Sequence, residues 1–205
     1  MGGEIETLLK QANSVENGTT SVNSARKAFA SAVESRAFFG QVRRNLLDIQ
    51  KWSANSSSSS YALFDKKGAE KNGLIEKGDF IRITVHGSGK NDWVNVIHIA
   101  DSADEVIITV SPSFDPTEKP QRSEVISHFF DGAAQNNFCL QRIDRTVAIY
   151  VIGLNERQNV SETAGLIESA RNAAIANLGY YSGLQKAVWN EFCTNFLEPA
   201  RDDAD

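Results

Sequence analysis

The sequence has few of the residues that build metal centres and disulfide frameworks. It contains two cysteines, Cys139 and Cys193, and three histidines, His86, His98 and His128, in 205 residues. The cysteines form no CxxC pair, and the histidines are too far apart in sequence to resemble a set of metal ligands. We therefore expect two free thiols, with no bound metal and no cofactor.

Long apolar runs and clusters of basic residues are also missing. No stretch approaches the roughly 18 consecutive apolar residues of a membrane-spanning helix, and the first residues, Met1 to Glu6, lack the basic and apolar parts of a secretion signal. The net charge is -5, and the adjacent pair Arg43 and Arg44 is too small a basic cluster to overcome repulsion by nucleic-acid phosphates. These features predict a cytoplasmic protein with no integral membrane segment and no nucleic-acid partner, and they leave an oligomer possible.

The overall composition is that of a folded domain. Hydrophobic residues make up 41% of the chain and charged residues 23%, which is close to the average for globular proteins. At this length one core is sufficient. We expect a flexible segment over residues 1–20, a single α+β domain over residues 21–200, and an acidic tail over residues 201–205.

Three segments have helical patterns. A short helix is predicted near Ile5 to Gln11, and a longer one from Ser21 to Trp52, with Ser21 or Ser24 as the N-cap. A serine-rich connector follows. The C-terminal segment from Ser161 to Leu197 has apolar residues at every third or fourth position, and it predicts a long amphipathic helix that buries one face.

Six segments between these helices have the composition of β-strands. The turns at residues 100–104 and 142–146 are too short to hold a crossover helix, so neighbouring strands must be antiparallel. The insertion from Pro112 to Gln135 is either a lid or a connection between strands. The predicted strands are Tyr61 to Phe64, Asp79 to His86, Trp93 to Ala100, Glu105 to Ser111, Asn137 to Ile143 and Thr146 to Leu154.

Both faces of these strands carry large apolar side chains, whereas a flat sheet with one solvated face would alternate more cleanly. We therefore expect a curved antiparallel sheet of about six strands, with preceding helices and a long C-terminal helix in its concave side, an arrangement known as a helix-grip. A partly filled concave side is a common place for small apolar ligands.

The order of these elements resembles the START-related superfamily, which includes the Bet v 1 allergens and polyketide cyclase-like proteins. The segment Gly179-Tyr180-Tyr181-Ser182-Gly183-Leu184, followed by Trp189 and Phe192, is similar to the glycine-containing last helix of that family. The family's first strand has no clear counterpart here outside residues 15–22. The resemblance implies a cavity for a lipid-like, aromatic or polyketide-like molecule without a bound metal, and the same fold supports binding proteins and enzymes.

Five residues are candidate ligand contacts in such a cavity: Trp93, His98, Tyr150, Arg157 and Tyr181. A neutral imidazole at His98 could also act as a general base, although a histidine satisfied within the core explains the same pattern. Tyrosines of this kind also often bury their rings and bind one partner at the rim. No catalytic residue is assigned.

The leading hypothesis is binding of a small apolar or aromatic ligand between the sheet and the C-terminal helix. One alternative is a cyclase, dehydratase or isomerase that uses His98 or a tyrosine. Another is a protein-interaction domain with a filled core, which would expose Phe114, Phe129 and Phe130 as a docking patch.

Overall fold

A computed structural model describes residues 3–14, 20–86, 91–118, 130, 132–156 and 186–198. The elements in chain order are α1 (Glu4–Asn13), β1 (Ser21–Ala28), α2 (Ala32–Leu47), α3 (Gln50–Ser53), β2 (Ser59–Phe64), β3 (Phe80–Val85), β4 (Asn91–Asp101), β5 (Glu105–Pro112), β6 (Gln135–Ile143) and β7 (Thr146–Leu154), followed by α4 over residues 186–197.

The seven strands form one antiparallel sheet in the order β1-β7-β6-β5-β4-β3-β2, curled into a half-barrel. Consecutive strands from β2 to β7 are neighbours, whereas β1 lies at the far edge beside β7. The predicted α+β fold with a curved antiparallel sheet and a C-terminal helix is confirmed. The described part of that helix is α4, and the rest of the predicted helix, from Ser161 to Gln185, lies outside the described residues.

The additional strand is β1, and here the predicted helix from Ser21 was wrong. Residues Ser21–Ala28 pair with β7 along their whole length, from Ser21 opposite Gly153 to Ala28 opposite Thr146. The segment has few large apolar side chains, so its own pattern does not distinguish a strand from a helix. Pairing with an apolar neighbouring strand determines its conformation instead.

Helix α2 begins at Ala32, eleven residues after the predicted start at Ser21, and its N-terminus is capped there. Ser31 Oγ accepts a hydrogen bond from the Glu34 backbone N–H at 3.2 Å, and Glu34 Oε2 accepts one from the Ala30 N–H at 3.1 Å. The first contact satisfies a backbone donor that the first helical turn leaves unpaired, and the second satisfies the N–H of the residue before the N-cap. Gly40 does not interrupt the helix, which continues to Leu47.

The main core lies on the concave side of the sheet. The alternate residues of each strand that face inward pack against α2, the residues around α3, and α4. Helix α4 contributes one continuous apolar face, as predicted for an amphipathic helix. The buried residues of that face are Val188, Trp189, Phe192, Cys193, Phe196 and Leu197.

The convex side is covered in two places. Helix α1, which occupies part of the N-terminal segment predicted to be flexible, buries Ile5 and Ala12 against a cluster that includes Ile107 and Ile152. Its Ile5 backbone N–H donates to Glu105 Oε1 at 3.1 Å. The second cluster on this side consists of Phe64, Phe80 and Trp93, with Ala62 and Phe114 packed against it.

Both cysteines are free and buried. Within the described ranges, no group of histidine, cysteine and acidic side chains could hold a metal ion. In the same ranges, no helix is both long and apolar enough to cross a membrane.

Candidate functional site

An aromatic cluster occupies the centre of the concave side, under α4. The Trp52 ring lies 4.5 Å from Phe138 and 5.2 Å from Phe192, measured between ring centroids. The Trp52 indole N–H is satisfied by the Leu46 carbonyl oxygen at 2.9 Å. Trp189 and Phe138 also contact each other, with centroids 5.3 Å apart. Side chains of the protein itself therefore fill this part of the concave side.

Helix α4 is attached at both edges of the sheet. Lys27 on β1 donates to the Leu197 carbonyl oxygen at 3.4 Å. Near the other edge, Asn195 donates to the Asn55 carbonyl oxygen at 3.0 Å, and Glu191 accepts from the Ser57 backbone N–H at 3.1 Å. These contacts fix the position of Trp189 and Phe192 relative to the sheet.

A group of polar residues lies on the same concave side, and we call Ser21, Asn23, Asn136 and Glu156 the polar cluster. Strand register assigns three of them to this face. Asn23 is opposite Val151, and Ser21 is opposite Gly153, which is in turn opposite Asn136. Val151 belongs to the concave core, so the residues two positions away in the same strands face the same way.

Glu156 completes the polar cluster from the end of β7. Its Oε1 accepts a hydrogen bond from Asn136 Nδ2 at 3.0 Å, and both side chains are buried. A Cβ atom built on Gly153 would lie 2.0 Å from Glu156 Oε1 and 2.6 Å from Ser21 Oγ. Because Gly153 has no side chain, the Glu156 carboxylate and the Ser21 hydroxyl both occupy the space above it.

In the part of the chain that the structure describes, two buried polar atoms of this cluster and one of α4 have no hydrogen-bond partner: Ser21 Oγ, Asn23 Oδ1 and Trp189 Nε1. Asn23 is 3% exposed and Trp189 is 7% exposed, so bulk water does not satisfy them. A buried polar group without a partner costs about 1–3 kcal/mol, and most such groups in proteins are paired. One acceptor on β1 and one donor on α4 are thus available beside the aromatic cluster.

The structure places three of the predicted contacts on the opposite, convex side. Trp93 is buried against Phe64, with ring centroids 4.9 Å apart. Tyr150 is half-buried in the cluster under α1, and burial is the main cause that raises the pKa of its hydroxyl. Neither residue contributes to the concave face that α4 covers.

His98 is also on the convex side because β4 contains a bulge. The register shifts between Val96 and His98, so His98 pairs with Thr109, whose side chain points away from the concave core. The His98 imidazole is exposed, and its Nε2 lies 3.1 Å from Glu4 Oε1. The prediction that His98 lies in an apolar environment, where it could act as a general base, is therefore wrong. Arg157 and Tyr181 lie outside the described residues.

The aromatic docking patch is not exposed where the structure describes it. Phe130 is 7% exposed, and Phe114 is half-buried against Phe80, with ring centroids 5.5 Å apart. Phe129 lies outside the described residues, as does most of the insertion around it. The two described aromatics are thus part of the protein's own packing.

The buried thiols are poor candidates for nucleophiles. Burial, the largest cause, raises the pKa of the Cys193 thiol to about 12, and burial likewise raises the pKa of Cys139. The thiolate is the reactive form of cysteine, so at neutral pH both residues behave as small apolar side chains.

Sequence reasoning missed the polar cluster. Asn23 was assigned to a helix, which gives its side chain no defined relation to the sheet. Glu156 was not among the candidate contacts, although its neighbour Arg157 was. One observation could have indicated it: the first strand of the family that this sequence resembles had no assigned counterpart. A strand through Asn23 would have placed the Asn23 side chain on an inward face.

The fold and the polar cluster together define an α+β protein with a helix packed in the concave side of a half-barrel sheet. No family model matches the chain, and no curated protein matches it. Similar solved structures include a protein from Arthrobacter aurescens, with 11% identity and a TM-score of 0.45, covering 90% of this chain and 92% of that one.

Two further solved structures are similar to this chain over 70% of its length. The major latex-like protein 151 of Panax ginseng has 13% identity and a TM-score of 0.36, covering 70% of this chain and 84% of that one. The extracellular domain of PknH from Mycobacterium tuberculosis has 12% identity and a TM-score of 0.35, with 70% of this chain covered. This chain spans 51% of that PknH domain. At these identities and TM-scores, none of them assigns a function to this chain.

Proposed function

We propose that this protein binds a small molecule with an apolar or aromatic body on the concave side of the sheet, between the polar cluster and α4. The observation that carries the proposal is the pair of unpartnered polar atoms, Asn23 Oδ1 and Trp189 Nε1, in a buried region lined by aromatic rings. A ligand that accepts from the indole and donates to the amide would satisfy both.

The surrounding side chains suit an apolar or aromatic body. Phe138 lies opposite Val151, and Val151 is also opposite Asn23, so the Phe138 ring and the Asn23 amide share one row across the sheet. The Trp189 ring packs against Phe138 at an interplanar angle of 80°. Apolar pockets with a few placed polar groups are typical of sites for small molecules.

The first test is mass spectrometry of the purified protein under native and denaturing conditions, together with a thermal-shift screen of fatty acids, sterols and flavonoid-type aromatics. A ligand that binds only the folded protein must raise its melting temperature. We expect either extra mass in the native spectrum or a saturable shift with one of these classes. No extra mass and no shift with any of them would contradict the proposal.

Replacement of Asn23 gives a sharper test. Asn23→Leu removes the unpartnered Oδ1 atom and keeps a similar volume, so the ligand-free protein should keep or gain stability. Its thermal shift with the ligand found in the screen should shrink. Ser24→Ala, at an exposed position of the same strand on the convex face, is the matched control and should leave both values unchanged. An unchanged ligand shift in Asn23→Leu would remove Asn23 from the site.

A further inference from the structure

We propose that the ligand carries a protonated amine, and that the polar cluster is the subsite that binds it. This inference rests on the proposed function and adds the chemical class of the ligand. It follows from the kinds of polar atom that meet at the polar cluster, from their burial, and from the aromatic rings next to them.

Oxygen atoms dominate the polar cluster. The Glu156 carboxylate brings a negative charge to a position that is 7% exposed. Ser21 Oγ lies beside that carboxylate above Gly153, and Asn23 follows two residues later on the same face of β1. The Asn136 amide is one of the groups that contact the Glu156 carboxylate. A group that offers several N–H donors and a positive charge is the complement of such a set.

An alkylammonium group has these properties. It presents up to three N–H donors and no acceptor, and a hydrogen bond between an ammonium and a carboxylate is stronger than one between neutral groups. One ammonium could donate to Ser21 Oγ, to Asn23 Oδ1 and to the Glu156 carboxylate. An anionic ligand would instead place like charges together in a buried region, which is strongly unfavourable.

The aromatic rings on the same side favour the same ligand class. The faces of Trp and Phe rings attract cations, with tryptophan the strongest of the aromatic residues. Phe138 lies in the same cross-strand row as Asn23, and Trp189 contacts Phe138. An amine attached to an aromatic or alicyclic body could therefore place its cation at the oxygen atoms and its body against these rings, with an acceptor atom near the Trp189 indole N–H.

The test compares ligands that share one skeleton and differ in charge. Tryptamine, tryptophol and indole-3-propionate share the indole ring and differ in an ammonium, a hydroxyl and a carboxylate group. We expect isothermal titration calorimetry on the full chain at pH 7 to give tryptamine an affinity at least about tenfold higher than that of tryptophol, with the weakest binding by indole-3-propionate.

Variants then test which residue causes the preference for tryptamine over tryptophol. Glu156→Gln should abolish the preference for tryptamine over tryptophol. Gly153→Ala keeps the charge but pushes the Glu156 carboxylate from its position, so it should reduce the preference in part. Glu6→Gln makes the same change of charge on α1, where Glu6 pairs with Lys10 at the surface, and it should leave the preference intact. Circular dichroism of each variant checks that it is folded.

The possible failures are distinguishable. Equal affinities for tryptamine and tryptophol in the unaltered protein, or a preference that persists in folded Glu156→Gln, would overturn the amine inference while leaving a binding site. If none of the three indoles binds and the native spectrum carries no extra mass, the proposed function itself is overturned. The ligand series needs no variant, so the inference stays testable even if Glu156→Gln fails to fold.

Discussion

Lys27 and Leu197 are 170 residues apart in the chain, yet the Lys27 ammonium donates a hydrogen bond to the Leu197 carbonyl oxygen at 3.4 Å. Leu197 is the last residue of α4, where backbone carbonyls have no partner within the helix. The ammonium also lies 4.8 Å from the centroid of the Phe38 ring. One cation on the edge strand thus connects α4 with the aromatic side of α2.

Replacement of Lys27 should therefore loosen the end of α4. Lys27→Met keeps most of the apolar stem and removes the charge, so it isolates the interactions with the carbonyl and the ring. Each of these contributes about 0.3–1 kcal/mol at partly exposed positions. We expect the free energy of unfolding in urea to fall by about 1 kcal/mol.

The matched control for that variant is Arg26→Met on the same strand. Arg26 faces the convex side and is exposed, so its replacement should change the free energy of unfolding by less than about 0.5 kcal/mol. Equal losses in the two variants would mean that Lys27 acts only through general charge and not through α4.

The aromatic cluster predicts a larger effect at Phe192. This side chain is fully buried, and its ring contacts Trp52, Phe138 and Phe196. Truncation of a buried phenylalanine to alanine typically costs 3–5 kcal/mol, so Phe192→Ala should lower the free energy of unfolding by about that amount, as measured by urea titration followed by tryptophan fluorescence.

Two further variants make the Phe192 prediction robust. Phe192→Leu should lose less than Phe192→Ala, which keeps the series measurable if the alanine variant is unfolded. Val33→Ala, at a position that is 79% exposed, should change stability by less than about 0.5 kcal/mol. A loss below about 1 kcal/mol for Phe192→Ala would contradict the packing of α4 against the sheet.

The sequence predicted the elements whose own residues form an apolar pattern. It did not predict the elements whose conformation depends on pairing with a distant strand. Strands β2 to β7 contain alternating or continuous apolar runs, so their positions followed from composition. Strand β1 is polar and gains its conformation from β7. The bulge in β4 exchanges the faces after Val96, and no local pattern marks it, which is why His98 was assigned to the wrong side. The polar cluster joins β1, β6 and the end of β7, so only the fold brings it together.

Helix α1 shields Cys139 from solvent on the convex side. Ile5 and Cys139 belong to the same buried cluster and are both fully buried. Ile5→Asp places a charge in that cluster and should detach α1 from the sheet. Because exposure restores ordinary thiolate formation, we expect Cys139 to react with a thiol reagent about tenfold faster or more, as followed by peptide mass mapping.

Two control measurements test whether the faster reaction of Cys139 comes from release of α1. Cys193 belongs to the buried face of α4, on the other side of the sheet, so its rate should stay unchanged in Ile5→Asp and serves as an internal reference. Gln11→Asp adds the same charge at an exposed position of α1 and should leave both rates unchanged. Equal acceleration of both cysteines would indicate general unfolding and not release of α1.

The buried hydroxyl of Tyr61 should make the free energy of unfolding depend on pH in the alkaline range. Burial, the largest cause, raises the pKa of the Tyr61 hydroxyl above its ordinary value of about 10. The folded protein therefore holds this proton more tightly than the unfolded chain does. The stability that follows is fully present below pH 10 and is lost as the pH rises above it, at up to about 1.4 kcal/mol per pH unit for one proton.

The variant Tyr61→Phe removes this proton and keeps the ring that packs against Trp52 at a centroid distance of 5.5 Å. Urea unfolding between pH 8 and 11 should therefore show a shallower decline above pH 10 in Tyr61→Phe than in the unaltered protein. The buried thiols and Tyr150 also have raised pKa values, so both proteins should still lose some stability. Parallel curves for the two proteins up to pH 11 would mean that the Tyr61 hydroxyl titrates alike in the folded and unfolded chains, and that it is hydrated in the folded protein.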